Sequence, residues 1–542
     1  GANLNTYNQH LQAEYIQANT NNNFMFVPWY TDGEDTDHLT PGFQRWEDDY
    51  GFAPVTNGVN GYASIQAAIN NASTGDTINA APGIFNERVT INKPLTLLGA
   101  TQGINKNGYT VPAEYAWDIT EETILNNPEP APTGTVSVVL IQNTDDVTFE
   151  GFIVQSLNAP RNSANDMLVS VISTTKTMNN IIIRNNVIGP NTNITPGEQD
   201  GTAGRMGLYI SVNQYIEHPY GLTNSAVSGN KIFGCEGNGN NVFIWGAYYS
   251  YGARYPSPME GTVIEDNEIY GSHRTGIESG GGYSGLTIRN NKIYGNGGMF
   301  EADADNLKYG HGIVLVRGSS DSGAAIGLGP ENLTITGNEI YNNQKSGIYM
   351  GPVNKNYIIT DNKIYNNGWD GIRLDMEAHF KNPTFEDEDR VGFFDKSENL
   401  IAHNNKIYNN GQLGIRVIGT PTNGFIFDAT GNWWGNTNGP ARIGPGAGNG
   451  VSASVDYSPW LGSVPGTSPM TWGTDSSINE AIGKASAGDT IYVAAGTYDE
   501  SIDITKRITL QGAGSSETGT VMQNTINPVI IGGCLTYTQY KP

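Results

Sequence analysis

Cysteine and long apolar runs are both scarce in this sequence, and each scarcity excludes a class of protein. The 542 residues include two cysteines, Cys235 and Cys534, which are too few and too far apart to indicate a disulfide framework. No stretch is long and apolar enough to span a bilayer. The first residues, GANLNTYNQH, lack the basic and apolar regions of a signal peptide, so if the protein is exported we expect its signal to have been removed.

Positive charge is also scarce, with 29 Lys and Arg against 53 Asp and Glu and a net charge of −24. Such a charge argues against nucleic acid or an anionic membrane as a partner. It fits a secreted or cell-surface protein. Calcium is the one cofactor that the sequence suggests, because two segments, DGEDTD and EADADN, crowd carboxylates together. The candidate ligands are Asp32, Asp35, Asp37, Asp303 and Asp305. Neither segment matches the twelve-residue calcium loop, so solvated acidic loops are an equally good interpretation.

Glycine and small polar residues are abundant, with 69 Gly, while 37% of the residues are still hydrophobic. This mixture is too rich in turn formers for helices and too apolar for a disordered chain. The length exceeds what one ordinary core needs, so several domains or an elongated repeat are expected. The composition therefore predicts an all-β protein with many turns.

A short motif recurs along the chain. DNKIYNNGWDGIRLD (361–375) has relatives in EDNEIYGSHRTGIES (265–279), TGNEIYNNQKSGIYM (336–350) and HNNKIYNNGQLGIRV (403–417). The Ile-Tyr pairs begin at 269, 293, 340, 364 and 407, so the gaps are 24, 47, 24 and 43 residues, which is one or two turns with short insertions. A period near 23 with short strands and Asn/Gly turns is typical of a solenoid, and a parallel β-helix is the form that such short strands allow.

The repeat resembles the right-handed parallel β-helix repeats of carbohydrate-binding proteins and sugar hydrolases, over about residues 61–435. We therefore expect an all-β, right-handed parallel β-helix with a short capping helix. The asparagine before each Ile should stack at a turn, and the tyrosine after it should form a ladder that either stiffens the solenoid or offers a glycan-binding strip. The asparagines are Asn267, Asn291, Asn338, Asn362 and Asn405.

The start of the repeat region occurs twice, at 64–100 and at 477–513, each time as a short amphipathic helix followed by strands. In the second copy Ser477 and Glu480 have the spacing of a capping box. The segment 431–463 resembles the unit ending of tandem β-helix surface proteins of archaea and bacteria, and Pro28-Trp29 matches Pro459-Trp460 within it. We expect three parts: 1–60 as the tail of a preceding unit, 61–465 as the β-helix, and 466–542 as the start of a second unit or an assembly domain. The mismatched ends suggest a piece of a longer array, a C-terminal start that packs back as a small domain, or head-to-tail self-association, and we favour the first or the third.

One outward face of the β-helix is the candidate site. If the Ile of each strand points inward, the following residue points outward. Coil by coil this column contains Tyr209, Phe243, Glu278, Val314, Tyr349, Arg373 and Arg416, and two positions further on come Trp245 and Asp375. Aromatic rings suit stacking on sugars, so Tyr209, Phe243, Trp245, Glu278 and Tyr349 are candidate substrate-binding residues. A solvated ion-pair ladder is the competing interpretation of the charged ones.

Two functions compete at this face. In a polysaccharide lyase or epimerase, Arg373 and Arg416 would neutralise a uronate carboxylate while Tyr349, His311 or His379 acts as acid or base. A glycoside hydrolase would use a carboxylate pair, Asp375 with Glu377 or Glu278. Against both stands a structural or adhesive cell-surface protein that binds glycans or copies of itself, and we favour it because it also explains the duplicated ends. The three histidines, His273, His311 and His379, are more simply surface loop residues.

Overall fold

The computed structural model describes most of the chain. The described residues are 54–58, 60–128, 136–157, 165–192, 204–212, 218–236, 239–247, 255–297, 309–316, 329–351, 354–376, 397–419, 421, 424–513, 520–522 and 529–531. Within them the chain winds into a parallel β-helix with three long sheets, so the predicted fold class is confirmed. Strands of the same sheet in successive coils are hydrogen-bonded in parallel and in register.

Sheet A is the longest sheet and begins with a hairpin antiparallel to it. Its strands are β1 (Val55–Thr56), β2 (Gly61–Tyr62), β3 (Thr77–Ala80), β6 (Leu95–Leu98), β9 (Val147–Glu150), β13 (Ile181–Arg184), β17 (Ala226–Ser228), β20 (Ser257–Pro258), β21 (Val263–Glu265), β24 (Tyr283–Ser284), β25 (Thr287–Arg289), β28 (Glu331–Thr336), β31 (Lys355–Thr360), β34 (Glu398–His403), β37 (Phe427–Asp428) and β40 (Val455–Asp456).

Sheet B contains the Lys/Glu-Ile-Tyr strands of the motif. Its strands are β4 (Gly83–Asn86), β7 (Thr123–Asn126), β10 (Phe152–Ser156), β14 (Val187–Asn191), β18 (Lys231–Phe233), β22 (Glu268–Tyr270), β26 (Lys292–Tyr294), β29 (Glu339–Tyr341), β32 (Lys363–Tyr365) and β35 (Lys406–Tyr408).

Sheet C contains the Gly-Ile strands on which the candidate site lies. Its strands are β5 (Val89–Ile91), β8 (Val136–Gln142), β11 (Asn165–Ile172), β15 (Gly204–Ser211), β19 (Val242–Trp245), β23 (Ile277–Gly280), β27 (Ile313–Val316), β30 (Ile348–Met350), β33 (Ile372–Asp375), β36 (Ile415–Ile418), β38 (Pro440–Arg442) and β39 (Gly448–Val451). A small extra ladder joins β12 (Met178–Asn179) to β16 (Leu222–Thr223).

Each coil buries the branched apolar residue that its motif supplies. Ile269, Ile293 and Ile340 on sheet B are fully buried, as are Ile348 and Ile372 on sheet C. They belong to one continuous core that extends from Val55 to Trp460. Burial of an Ile side chain contributes about 1.5–3 kcal/mol, and the repeat supplies such residues in every coil. The fold therefore depends on hydrophobic residues at a fixed period.

The asparagine before each Ile forms a buried ladder along the turn between sheets A and B. Asn338 shows the pattern: its backbone N–H and its Nδ2 both donate to Oδ1 of Asn362, at 2.9 and 3.0 Å, and its Nδ2 also donates to the backbone oxygen of Ile288. The same pattern continues without a break through Asn186, Asn230, Asn267, Asn291, Asn338, Asn362, Asn405 and Asn432. Each asparagine thus satisfies buried backbone groups that water cannot reach.

The tyrosines after each Ile stack on the outer face of sheet B. Their ring centroids are 4.9–5.1 Å apart and nearly parallel from Tyr270 to Tyr408, and Phe233 and Trp433 continue the row at its two ends. Because the rings face one another, they present edges and not faces to solvent. This geometry favours the stiffening interpretation of the ladder over a flat glycan-binding strip.

A non-repetitive insertion, residues 99–122, covers the first coils of sheet B and includes a short 3-10 helix, Ala113–Tyr115. Trp117 and Tyr115 pack there with Ile124, Ile153 and Phe233. The indole nitrogen of Trp117 donates to Gln155 at 2.7 Å. Nothing in the repeat pattern predicts this cover.

The two predicted helices are α1 (Ile65–Asn71) and α2 (Ile478–Lys484), and their termini are held alike. Glu87 accepts hydrogen bonds from the first backbone N–H groups of α1, and Glu500 does the same for α2. Lys93 and Lys506 donate to the last carbonyl oxygens of α1 and α2 respectively. A carboxylate at the N-terminus and an ammonium at the C-terminus both complement the helix dipole.

The capping box predicted at α2 forms only in part. Ser477 Oγ accepts from the N–H of Glu480 at 3.2 Å, as expected. The reciprocal bond is absent among the described residues, because the Glu480 side chain lies 3.8 Å from Lys484. Glu500, from the next coil, takes its place at the helix N-terminus.

The residues after the main core begin a second set of coils with its own core. They form β41 (Trp460–Leu461), β42 (Thr471–Thr474), β43 (Thr490–Val493), β44 (Gly496–Tyr498), β45 (Ile502–Ile504), β46 (Thr509–Gly512), β47 (Thr520–Met522) and β48 (Val529–Ile531). Trp434 is fully buried near the end of the main core, and Lys484 of α2 donates to Thr430 at 2.6 Å. Within the described residues, no helix is long and apolar enough to cross a membrane.

Candidate functional site

The outer column of sheet C is formed as the alternation of the strands predicts. Adjacent strands place its members side by side in register: Tyr209, Phe243, Glu278, Val314, Tyr349, Arg373 and Arg416. Trp245 lies in the neighbouring column beside Ser211 and Gly280, and Asp375 lies beside Ile418. At about 4.8 Å per coil, the column from Phe243 to Arg416 is about 24 Å long.

The N-terminal part of the outer column is an aromatic cluster. The rings of Tyr209 and Phe243 are 6.0 Å apart and nearly parallel, and the Trp245 ring is roughly perpendicular to both. Met167 and Met206 pack beside them. Burial raises the pKa of Tyr209 to about 12, whereas Phe243 and Trp245 remain half-exposed. Two half-exposed rings supported by a buried layer are a suitable surface for a sugar ring.

The C-terminal part is an ion-pair cluster centred on Asp370, a residue that the sequence analysis did not single out. Both carboxylate oxygens of Asp370 lie 3.0 Å from Nε of Arg416, and one accepts from Nη1 of Arg373 at 3.3 Å. The backbone N–H of Leu413 donates to the same carboxylate at 3.0 Å. Arg373 also approaches Asp375, at 3.9 Å.

The expectation of a solvated ladder at these charges is wrong. The Asp370 side chain is fully buried, and those of Asp375 and Arg373 are 5% and 11% exposed. The ring of Trp369 covers the Arg373 guanidinium, whose central carbon lies 5.0 Å from the ring centre. Burial is possible because the arginines and the carboxylates neutralise one another.

His311 is fully buried, so the expectation that it is a surface loop residue is wrong. Its Nδ1 accepts the backbone N–H of Ser346 at 3.0 Å, and its ring lies 4.9 Å from that of Tyr349. Burial, and after it the Asp375 carboxylate, raises the pKa of the Tyr349 hydroxyl well above its usual range. Tyr349 is therefore protonated at neutral pH and suits a donor better than a base. His273, by contrast, is half-buried, and burial lowers its pKa.

Between the two parts of the column lies Glu278, 3.7 Å from Arg274, whose guanidinium carbon lies 3.9 Å from the centre of the Tyr309 ring. Glu278 and Asp375 are three coils apart, or about 14 Å of backbone. A hydrolase holds its two carboxyl groups about 5–9.5 Å apart. This spacing argues against the pair as hydrolytic residues.

Three buried polar atoms along this face have no hydrogen-bond partner among the described residues: Nε of Arg373, Oε2 of Glu278 and Oγ of Ser346. Leaving such an atom unpaired costs about 1–3 kcal/mol. A polar ligand that reached these three atoms would supply hydrogen-bond partners for them.

Several predicted site residues lie outside the described residues. These are the calcium candidates Asp32, Asp35, Asp37, Asp303 and Asp305, together with Glu377 and His379. Within the described part of the chain, no group of three or more His, Cys, Asp or Glu residues is arranged to hold a metal ion. Cys235 is a buried free thiol.

Comparison with known proteins supports the fold. A family model described as "Right handed beta helix region" matches residues 223–393 and 308–432. No curated protein matches the sequence. Among solved structures, the chain is similar to the A-module of the mannuronan C-5 epimerase AlgE6 of Azotobacter vinelandii, with 15% identity, a TM-score of 0.33 and coverage of 88% of this chain and 95% of that one.

Two further solved structures show similar values. Pectate lyase Pel9A is 12% identical, with a TM-score of 0.32 and coverage of 57% of this chain and 70% of that one. A mutant of the periplasmic alginate epimerase AlgG is 12% identical, with a TM-score of 0.32 and coverage of 74% and 96%. At these identities and TM-scores, the likenesses do not indicate a substrate for this chain.

Proposed function

We propose that this chain is an extracellular β-helix protein that binds polysaccharide along the outer column of sheet C. The observation that supports this most directly is the order of side-chain types along that column, aromatic and then polar. Half-exposed aromatic rings at Phe243 and Trp245 are followed, within about 24 Å, by buried polar atoms of Glu278, Ser346 and Arg373 that have no hydrogen-bond partner in the described part of the chain. A sugar polymer offers ring faces and hydroxyl groups at intervals along just such a length.

Binding fits the charged cluster better than catalysis does. Asp370 and Asp375 together balance the charges of Arg373 and Arg416, and the raised pKa of Tyr349 removes it as a base at neutral pH. What Arg373 retains is a buried donor, Nε, beside the aromatic cover of Trp369. We infer that this donor binds a hydroxyl or carboxylate oxygen of the polymer.

The test is binding of the full chain to a panel of neutral and uronate-containing polysaccharides, measured by affinity electrophoresis and calorimetry. Trp245→Ala and Phe243→Ala should each weaken binding by up to about tenfold, because each removes about 0.5–1.5 kcal/mol of stacking. Tyr492→Ala is the matched control, since Tyr492 is an exposed aromatic residue of the second core region. Equal retention of all three variants would contradict the proposal.

A uronate lyase or epimerase is the second candidate, because a buried Arg373 donor also suits stabilisation of the charge that develops when a C5 proton is removed. An ultraviolet assay for unsaturated uronate products and an NMR assay for C5 inversion distinguish it from a binding protein. Activity that is lost in Arg373→Gln while binding is kept would establish catalysis. No product from any uronate polymer would leave binding as the function.

Head-to-tail self-association and calcium binding stay predictions. Light scattering with and without calcium checks both: filaments would support head-to-tail joining, and a calcium-dependent change in mass would support the acidic loops as ligands.

A further inference from the structure

Ten successive positions in one column on the outer face of sheet A carry no charge, and the next position in the column is Asp428. The ten uncharged residues are neighbours in successive coils and are all half-exposed or exposed: Thr77, Thr96, Thr148, Ile182, Ala226, Val263, Thr287, Thr334, Ile358 and Ile401. Ile358 is 46% exposed. Ten coils span about 43 Å. In a chain of net charge −24, a neutral stripe of this length is where a second molecule can approach without repulsion.

A second outward column on the same face carries paired charges. It contains Glu150, Arg184, Ser228, Glu265 and Arg289 in five successive coils. Within the chain, Arg184 pairs with Glu150 at 2.7 Å and Arg289 with Glu265 at 2.5 Å. Arg184 and Arg289 are nearly half-exposed, Glu265 is 20% exposed, and Glu150 is buried beneath the 99–122 insertion, where it accepts from the N–H of Gly103.

About strand β17, the neutral column reads nearly the same in reverse, whereas the charged column reads in reverse with each charge changed in sign. In the neutral column, Ala226 is the centre, Ile182 and Val263 are equidistant from it, and Thr148 and Thr287 follow. In the charged column, Ser228 is the centre, and Arg184 on one side corresponds to Glu265 on the other. At equal distances from β17, the neutral column thus has residues of similar type and the charged column has residues of opposite charge.

We propose that two copies of the chain pair face to face through sheet A, with their solenoid axes antiparallel, about a twofold axis that runs along strand β17. Such an axis keeps each column over itself and reverses the order of the coils. Ala226 then meets Ala226 of the second copy, and Ile182 meets Val263. Arg184 meets Glu265, and symmetry makes this contact twice. A twofold interface requires this self-complementarity.

The size of the face suits a dimer. A stripe about 43 Å long and two outward columns wide, at about 7 Å per column, covers on the order of 600 Å² per copy, which is in the range of the about 800 Å² per partner of a standard interface. The four charges of the second column sum to zero, since Glu150 and Glu265 balance Arg184 and Arg289. Another partner with an unrelated surface would gain nothing from the reversed symmetry, so a second copy is the occupant that the pattern favours.

The first experiment is sedimentation equilibrium of the full chain over a wide concentration range. A monomer–dimer equilibrium is expected, and Ala226→Arg should convert it to monomer, because two arginines would then meet on the axis. Ala226 is half-exposed, so the fold should tolerate the change. A chain that is monomeric at every concentration would overturn the proposal.

Two charge swaps separate contacts within a copy from contacts between copies. Glu265→Arg with Arg289→Glu keeps an opposite-charge pair inside the chain but sets like charges against Arg184 across the interface. It should weaken dimerisation about tenfold or more while leaving thermal stability nearly unchanged. Glu265→Arg with Arg184→Glu keeps the pair across the interface but creates like-charge neighbours inside the chain. It should dimerise as the parent does, with a lower melting temperature.

The two swaps thus have opposite expected outcomes. A dimer that survives the first swap and Ala226→Arg would lie on another surface and would overturn the proposal. So would a dimer that is lost equally in both swaps, provided that circular dichroism shows both variants to be folded.

Discussion

Asp370 and Arg416 lie in adjacent coils, and Nε of the arginine is 3.0 Å from each of the two carboxylate oxygens. Asp370 also binds Arg373 and a backbone N–H, so one buried carboxylate fixes two of the arginines of the outer column. The orientation of the charged part of the candidate site therefore depends on a residue that itself has no exposed surface.

Replacing Asp370 should be costly. Asp370→Ala leaves two arginines without their partner, and breaking a buried ion pair from one side costs about 3–5 kcal/mol. Chemical denaturation should show this loss. Glu398→Ala is the matched control, because Glu398 pairs with Lys355 at 2.9 Å on the exposed surface, where such pairs contribute about 0–1 kcal/mol. A loss of less than 1 kcal/mol in Asp370→Ala would contradict the role assigned to it.

The asparagine ladder should be intolerant of an apolar replacement. Asn338→Leu removes the acceptor of the Asn291 N–H and two donors from a site that is 1% exposed. Each unpaired buried group costs about 1–3 kcal/mol, so a loss of about 3 kcal/mol or more is expected by denaturation. As a control, Asn126→Ala removes an exposed side-chain hydrogen bond to Asn86 and should lower the free energy of unfolding by well under 1 kcal/mol. Similar losses in both variants would show that the ladder position is not special.

The free energy of unfolding should depend on pH through the ionisation of Asp428. Burial raises the pKa of Asp428, but hydrogen bonds from His403 and Thr430 outweigh burial and bring this pKa down to about 2. Because an unfolded aspartate titrates near pH 4, the ionised form stabilises the fold above about pH 4. This contribution is lost as the pH falls through about 2.

Asp428→Asn should accordingly cost about 1 kcal/mol at pH 7, since the half-exposed pair is partly screened, and progressively less towards pH 2. Denaturant titrations at several pH values measure this. Asp499→Asn, at an exposed aspartate, is the control and should show no such trend. A cost that is the same at pH 7 and at low pH would refute the assigned pKa.

Cys235 should be unreactive in the folded protein. It is fully buried, and burial raises the pKa of its thiol, so little reactive thiolate forms. In a Cys534→Ser variant, which leaves Cys235 as the single thiol, labelling by a disulfide reagent should be on the order of 100-fold slower in native buffer than in denaturant. Rapid native labelling would show that the surrounding coils open readily.

The repeat was predictable from sequence because its physics is local and periodic. Asn267, Ile269 and Tyr270 recur at one coil spacing, and each type has one role: a buried amide, a core side chain and a stacked ring. The outward column of sheet C followed from the same alternation, and the register places Tyr349, Arg373 and Arg416 in one line.

What could not be predicted depends on contacts between coils or outside the repeat. Asp370 occupies the position just before a Gly-Ile strand, and His311 and Ser346 occupy the same position in other coils. Polar residues at this repeated position are the sequence feature that points to Asp370. Glu500 binds the start of a helix at Ile478, 22 residues earlier in the chain, so the local spacing of Ser477 and Glu480 predicted a capping box that forms only in part. The cover over sheet B by Trp117 has no periodic signature.

The unbroken asparagine ladder bears on how such a chain can change in length. Each coil receives two hydrogen bonds from one neighbour and passes the same two to the other, so any coil presents the same connections as any other. Adding or deleting one whole coil leaves every remaining asparagine amide with a hydrogen-bond partner. Changing the length by part of a coil would leave several of these amides without one. Such a molecule can be lengthened or shortened by recombination in units of one coil, and extra residues can otherwise enter only as loops, as the gaps of 47 and 43 residues between motifs illustrate.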